Sequence, residues 1–446
     1  MLKFLHLGDI HLGNNQYQND DRMRDFFYAL HGVIRRYAIA EKVDFVLVAG
    51  DLFDRRNIEP RVLTQATIIF KELKDAGIPV YAIEGNHDRS GPHDGVSWLR
   101  YLSDWDWFSL LEPDHGEDGR LTLSPWDGRH GGYIEHEGIR IIGSKWYGSS
   151  TASVIGPLSE AIASLPPCPA QILLFHAGLE GYIDSYSGGL SHHQMLPLKE
   201  AGITYLALGH IHKRYEEGDW IYNPGSTESC NVAEFAEERG AYLVAIDPAT
   251  GKHEARHINH SEFDAQRPFQ RLRFDVTGHV TPESVLAALD GYLAANRKDF
   301  DDRPVVELTL AGVLGFKRHE LELPQVEALV QKHLDPLLVR LRYDAVPAEY
   351  AVAPGVSMGT DRKQLEREIM RDLVARDARY GPEADRFSQI LIALKNRALA
   401  GDPASDIAVF VAQAFALEPV ASEPVASESA TPEPTANERP VSVGEA

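Results

Sequence analysis

The chain is predicted to be an α/β protein, with a smaller α+β segment and a helical end after the main domain. Three observations predict this. Short apolar runs rich in Val, Ile, Leu and Phe recur through the first 260 residues or so: Phe4–Leu7, Phe45–Ala49, Val80–Ile83, Ile139–Ile142, Ile172–Phe175 and Tyr205–Leu208. Runs of four or five residues without polar alternation suit strands buried on both faces. Between them lie segments with apolar residues at helical spacing, and such alternation is the signature of an α/β domain. Finally, the pattern changes near Glu262–Pro268.

The first helix is expected over Asp21–Ala40, where Phe26, Leu30, Val33, Ile34 and Tyr37 share a face. The second is expected over Pro60–Ala76. Pro60 suits a first helical turn and Gly77 suits the residue just past the end. The α/β domain is placed at residues 1–265. Residues 269–352 hold two alternating segments, Phe269–Val276 and Pro304–Leu310, each followed by a helix (Pro282–Ala295 and Pro324–His333). A third β run, Leu337–Tyr343, completes the small α+β segment. Residues 360–416 carry amphipathic helices over Asp361–Arg376 and Ala384–Leu399, whose apolar stripes must pack on this chain or on a partner. Residues 417–446 repeat Glu-Pro-Val-Ala-Ser and are expected to be disordered, because Pro, Glu and Ser cannot bury enough surface to offset ordering entropy.

Composition narrows the function. With 43% hydrophobic and 25% charged residues, the 446-residue chain reads as globular. No apolar run approaches the roughly 18 residues of a membrane span, and the start lacks the features of a signal peptide, so no membrane partner is expected. Cys168 and Cys230 have no zinc-type spacing; both are expected as free thiols, which suits a cytoplasmic location. The net charge of −22 argues against a generic nucleic-acid-coating surface. It leaves room for a phosphodiesterase whose substrate is held by metal ions and a few local cations.

The chemistry lies in five segments: Gly8-Asp9-Ile10-His11, Gly50-Asp51-Leu52-Phe53-Asp54, Gly85-Asn86-His87-Asp88, Phe175-His176-Ala177-Gly178 and Gly209-His210-Ile211-His212. Each directly follows a buried strand, and ligand sites of α/β domains lie beyond the carboxyl ends of their strands. In-line cleavage of a phosphodiester needs a nucleophile at neutral pH and charge neutralisation at phosphorus, which two divalent ions supply together. Asp51 is the expected bridging carboxylate. Asp9, His11 and His212 would complete one metal, and Asn86, His176 and His210 the other. An O and N donor set without thiolate points to Mn²⁺, with Fe²⁺ and Zn²⁺ as alternatives. His210 and His212 are two residues apart, so a turn after the strand must bring both to the cluster. His87 is placed to donate a proton to the leaving oxygen, with Asp88 orienting its imidazole. A lone Asp-x-His would mean little; the force lies in five such segments at five strand ends. The other histidines, His6 and His31 among them, are expected in the core or on the surface.

These segments resemble the calcineurin-like metallophosphoesterases, whose pattern is Asp-x-His, Gly-Asp, Gly-Asn-His and Gly-His-x-His. Within that superfamily the runs Leu5–Gly13, Gly50–Asp54 and Leu208–Lys213, with Asn223-Pro224-Gly225-Ser226-Thr227-Glu228 and Arg239–Tyr242, resemble SbcD and the meiotic-recombination nucleases. The resemblance covers roughly residues 1–245. It implies a four-layer α/β/β/α domain, with residues 269–352 as a cap and the helices after 360 as the part that grips the coiled coil of an SMC-like ATPase, SbcC. It also implies a homodimer acting on DNA ends, hairpins and single strands with Mn²⁺. Some archaeal members carry His where this chain has Asp54. A small-substrate phosphodiesterase and a non-catalytic DNA-end scaffold are the rival readings; the 180 or so residues beyond a compact catalytic domain disfavour the first, and a full ligand set the second.

Overall fold

A computed structural model describes residues 1–90, 95–116, 120–182, 189–263, 266–347, 362–377, 379–399 and 403–415. The chain forms two compact units, residues 1–348 and 349–446.

The first unit is built on two six-stranded sheets. In the first, Leu2–Leu7 pairs in parallel with Phe45–Val48, which continues through Val80–Ala82 to Ser109–Leu110; on the other side it meets Gly240–Ile246 antiparallel, with His253–Asn259 at the edge. In the second, Ala170–His176 lies between Tyr205–Gly209 and Ile139–Ser144, parallel to both. Alternation along each strand sends side chains to two different cores. Phe4, Phe45, Leu47 and Tyr81 of the first sheet meet Ile141, Ile172, Leu174 and Tyr205 of the second between the sheets. Leu5, Leu7, Val46 and Val48 face outward onto Leu30, Val33, Ile69 and Leu73 of helices Asp20–Val33 and Pro60–Asp75. On the far side, Leu173, Phe175, Leu206 and Leu208 pack on Leu158, Ile162, Met195 and Leu198 of helices Thr151–Ala163 and His192–Glu200. The result is the expected four-layer α/β/β/α stack, and the double burial explains why these strands lack polar alternation.

The expected Asp21–Ala40 helix is capped by Asn19, whose side chain accepts from Asp21 N at 2.9 Å. It is α-helical only over Asp20–Val33; Ile34–Ile39 is a π-helix, with Ala40 N donating to Arg35 O at 3.0 Å. The wider turn keeps Ile34, Tyr37 and Ala38 buried, an outcome that a 3.6-residue period does not register.

His6 shares the face of Phe4 and so points at the opposite sheet. Its Nδ1 lies 3.0 Å from Tyr205 Oη and its Nε2 3.0 Å from Leu208 O. One neutral tautomer satisfies both, with Tyr205 donating to Nδ1 and Nε2–H donating to the carbonyl. Burial lowers the imidazole from 6.5 to about 3, against the opposing bond to Leu208. Below pH 6.5 the unfolded chain takes up this proton and the folded one does not. The stability from neutral His6 is therefore complete above pH 6.5 and lost as pH falls towards 3, at up to about 1.4 kcal/mol per pH unit. His6→Gln should flatten the acid limb of the urea-midpoint profile relative to the parent. An unchanged slope between pH 6.5 and 4 would show that His6 does not carry it.

The expected small segment is a three-stranded parallel sheet, Phe269–Asp275, Val305–Ala311 and Leu338–Tyr343 in that order. Helices Pro282–Ala295 and Leu323–Leu334 connect its strands and close a core of Leu272, Phe274, Leu289, Leu308, Val326 and Val330. Arg267, at its entry, grips Asp25 with two nitrogens at 2.8 and 2.9 Å and Asp302 at 2.7 Å. Arg340 donates to Tyr17 Oη at 3.1 Å.

In the second unit Arg362–Ala375 and Ala384–Leu399 pack on each other, and Ala404–Phe415 adds a third helix. Lys395 pairs with Glu366 at 2.5 Å and Arg371 with Asp385 at 2.8 Å. Phe387 is buried, while Leu373, Leu399 and Val409 are more than half exposed. The stripes read from the sequence are therefore only partly covered within the unit. The repeat at 417–446 lies outside the described residues. No helix among the described residues is long and apolar enough to cross a membrane.

Candidate metal centre

All five strand-end segments converge. The turns after Leu2–Leu7 and Phe45–Val48 are zipped together: Ile10 N and His11 N donate to Asp51 O at 2.9 and 3.0 Å, and Leu12 N donates to Leu52 O at 2.9 Å. The backbone at Asp9, His11 and Asp51 is left-handed, with φ of 50°, 51° and 51°, and at His210 φ is 93°. Such conformations cost roughly 1–3 kcal/mol each in non-glycine residues and persist where the surroundings hold them. Here they turn carboxylate and imidazole back over the strand ends. Two glycines make room. A Cβ on Gly85 would lie 2.1 Å from Asp51 Oδ1, and one on Gly50 2.4 Å from His176 Nδ1.

Two clusters share one carboxylate. On one side His11 Nε2 lies 3.0 Å from His212 Nε2, and Asp9, His11 and Asp51 bring ligand atoms within 4.8 Å of one another. On the other, Asn86 Oδ1 lies 3.1 Å from His176 Nε2 and 2.9 Å from His210 Nδ1. Asp51 stands between. Its Oδ1 accepts from His87 N at 2.8 Å; its Oδ2 lies 3.3 Å from His176 Nε2 and 3.8 Å from His11 Nε2. Asp9 accepts from His210 N at 2.9 Å, which fixes the turn that sends His210 to one cluster and His212 to the other.

The donor set fits divalent cations. Two of the ring nitrogens that face away from the clusters are directed by oxygen acceptors: His176 Nδ1 meets Ala49 O at 2.7 Å and His212 Nδ1 meets Glu234 Oε1 at 3.1 Å. Outer acceptors of this kind set the tautomer and turn the other lone pair inward, as in metal-binding histidines generally. Burial disfavours charge on His176, yet the Asp51 carboxylate beside it raises the imidazole to about 9. Burial, with His176 adding to it, holds His210 down at about 4. The Asp51 carboxylate thus draws positive charge towards His176.

Asp88 differs from expectation. It does not orient the His87 ring. Its carboxylate accepts from Leu52 N, Phe53 N and Gly85 N at 3.2, 3.1 and 3.0 Å, locking the Gly50–Asp54 turn to the Gly85–Asp88 turn. Burial and the Asp51 charge raise it to about 7. The His87 imidazole is instead fixed by Asp54, whose backbone O lies 2.6 Å from Nδ1, and it packs edge-on against His11. Glu234 and Cys230, beside His212, were not singled out in the sequence. Both sit in the long loop between strands Ile221–Asn223 and Gly240–Ile246, past the Asn223–Glu228 run, at positions that no ligand spacing marks.

The calcineurin-like phosphoesterase family matches residues 2–214. This chain carries a calcineurin-like phosphoesterase domain. The DNA double-strand break repair protein Mre11 of Archaeoglobus fulgidus is 30% identical over 244 residues, covering 52% of each chain. The Mre11 of Saccharolobus solfataricus is 31% identical over 252 residues, covering 55% of this chain and 60% of that one. The Sulfolobus acidocaldarius Mre11 is 26% identical over 329 residues, covering 72% of this chain and 78% of that one. The chain spans about half to three fifths of the first two relatives. All five strand-end segments of the phosphoesterase domain fall within the matched residues.

Proposed function

We propose that this protein is a metal-dependent DNA nuclease that hydrolyses phosphodiester bonds, working as a homodimer with an SMC-like ATPase of the SbcC kind. The observation that carries the chemistry is the pair of clusters sharing Asp51 Oδ2. Asp9, His11 and His212 would hold one ion, Asn86, His176 and His210 the other, with Asp51 common to both; Mn²⁺ suits this O and N set. When bound, the two ions neutralise phosphate charge and supply hydroxide at neutral pH. His87 contributes a proton donor. With Nδ1 held on Asp54 O, its Nε2 is the atom left to protonate the leaving oxygen. Asp88 keeps the two ligand-bearing turns in register. Arg55, Arg56 and Arg89 are exposed beside the centre and would hold flanking phosphates on an otherwise acidic chain. The similarity to DNA repair proteins supports DNA over a small phosphodiester.

The test offers the purified full chain, with Mn²⁺, linear duplex DNA, single-stranded DNA and a chromogenic phosphodiester. Cleavage of DNA with metal and none without it is expected; turnover confined to the chromogenic ester would support the small-substrate reading. The ATPase contact is assigned to the helices of the second unit. A chain ending at Ala348 should keep cleavage of short DNA and lose co-purification with the ATPase. Retention of the complex would place that contact elsewhere.

A further inference from the structure

Cys230 borders this centre, and nothing in the hydrolysis described above uses it. Its thiol and one ring nitrogen each of His11 and His212 lie within 4.8 Å of one another. His11 is 1% exposed and Cys230 9%, and His212 is half-buried. The cysteine is held in place. Its backbone N–H donates to Glu234 Oε2 at 2.9 Å, while Glu234 Oε1 takes His212 Nδ1 at 3.1 Å and Asn231 Nδ2 at 2.5 Å. One carboxylate therefore ties the Cys230 backbone to the His212 imidazole.

The two imidazoles give the second observation. Glu234 takes His212 Nδ1 and so turns the His212 Nε2 lone pair towards the cluster, while His11 Nδ1, 3.5 Å from Asp54 Oδ1, is buried without a hydrogen-bond partner. The two Nε2 atoms face each other at 3.0 Å. Two imidazole nitrogens that close, with a thiol beside them, form a ready-made set of donors for one cation. A buried free cysteine usually behaves as a small hydrophobe among apolar side chains; this one is set against a pair of imidazole nitrogens.

We propose that Cys230 is a thiolate donor to the metal position of His11 and His212. This rests on the metal-centre reading given above and deepens it. The sulfur–hydrogen bond breaks, the proton leaves to solvent and a sulfur–metal bond forms, with no change of oxidation state. A thiolate added to these imidazole and carboxylate donors shifts the preference towards borderline ions such as Zn²⁺ and Co²⁺ and away from Mn²⁺. That position therefore retains zinc in preference to manganese, while Asn86, His176 and His210 form a set without sulfur.

The full chain loaded with Co²⁺ tests this. Cys168, the other cysteine, is first replaced by Cys168→Ala. The cobalt protein should show near-ultraviolet sulfur-to-cobalt charge-transfer absorption. Adding Cys230→Ser should abolish that band with cobalt still bound. Loss of Zn²⁺ to a chelator should then be faster by at least the ~10-fold that even an outer-shell change costs. Bound cobalt without a sulfur band in the Cys168→Ala chain overturns the role of Cys230 and leaves the metal centre standing, and this outcome needs no Cys230 variant to fold. Failure to bind cobalt at all overturns both.

Discussion

Asp51→Asn should abolish phosphodiester hydrolysis on every substrate, by roughly 10³-fold or more, and weaken binding of both metal ions. The substitution is nearly isosteric. It can keep an oxygen on His87 N, where Oδ1 now accepts at 2.8 Å. It cannot keep the negative oxygen that lies 3.3 Å from His176 Nε2 and 3.8 Å from His11 Nε2. Those distances tie one atom to both clusters, so the loss should be shared between them. Replacing a residue that serves only one cluster, as in Asn86→Ala, should leave the other ion bound. Metal content by mass, read beside turnover, distinguishes the cases. Two ions per chain and normal turnover in Asp51→Asn would show that this carboxylate is not the bridge.

His87→Ala should separate metal binding from chemistry. Its ring is bound to Asp54 O through Nδ1 and packs against His11, so it belongs to the wall of the centre. Removing it should leave metal content unchanged and lower the rate by about 10²–10⁴-fold, the scale of general acid–base assistance. The loss should be smaller for a chromogenic ester, whose leaving group departs without a proton, than for DNA. Equal losses on both substrates would argue against proton donation, and loss of metal along with rate would make His87 a support for His11.

Much of this was legible in the chain because it is local. Strands buried on both faces appear as unbroken apolar runs, so the alternation with helices, and even the limits of Pro282–Ala295 and Ala384–Leu399, follow from short-range pattern. The five polar segments are legible for the same reason: each is written directly after its strand. The residues that orient the imidazoles are not. Glu234 reaches His212 across 22 positions, and the Asp54 carbonyl reaches His87 across 33, between turns whose left-handed backbone no hydrophobic period encodes.

What the amino-acid sequence determined by itself is the strand–helix alternation of the first domain, its strands buried on both faces, and the identity of the side chains delivered to one end of them; the layer order came from the family resemblance. Strand burial and strand-end position are properties of a few neighbouring residues, so both survive reading in one dimension. Only the tertiary structure decided which atom of Asp51 is left to face both clusters, that Asp88 is spent on three backbone N–H groups rather than on His87, and that Cys230 lies against His11 and His212. Those outcomes depend on which donors and acceptors remain unpaired once distant loops close, and hydrogen-bond competition is settled by distance in space rather than separation along the chain.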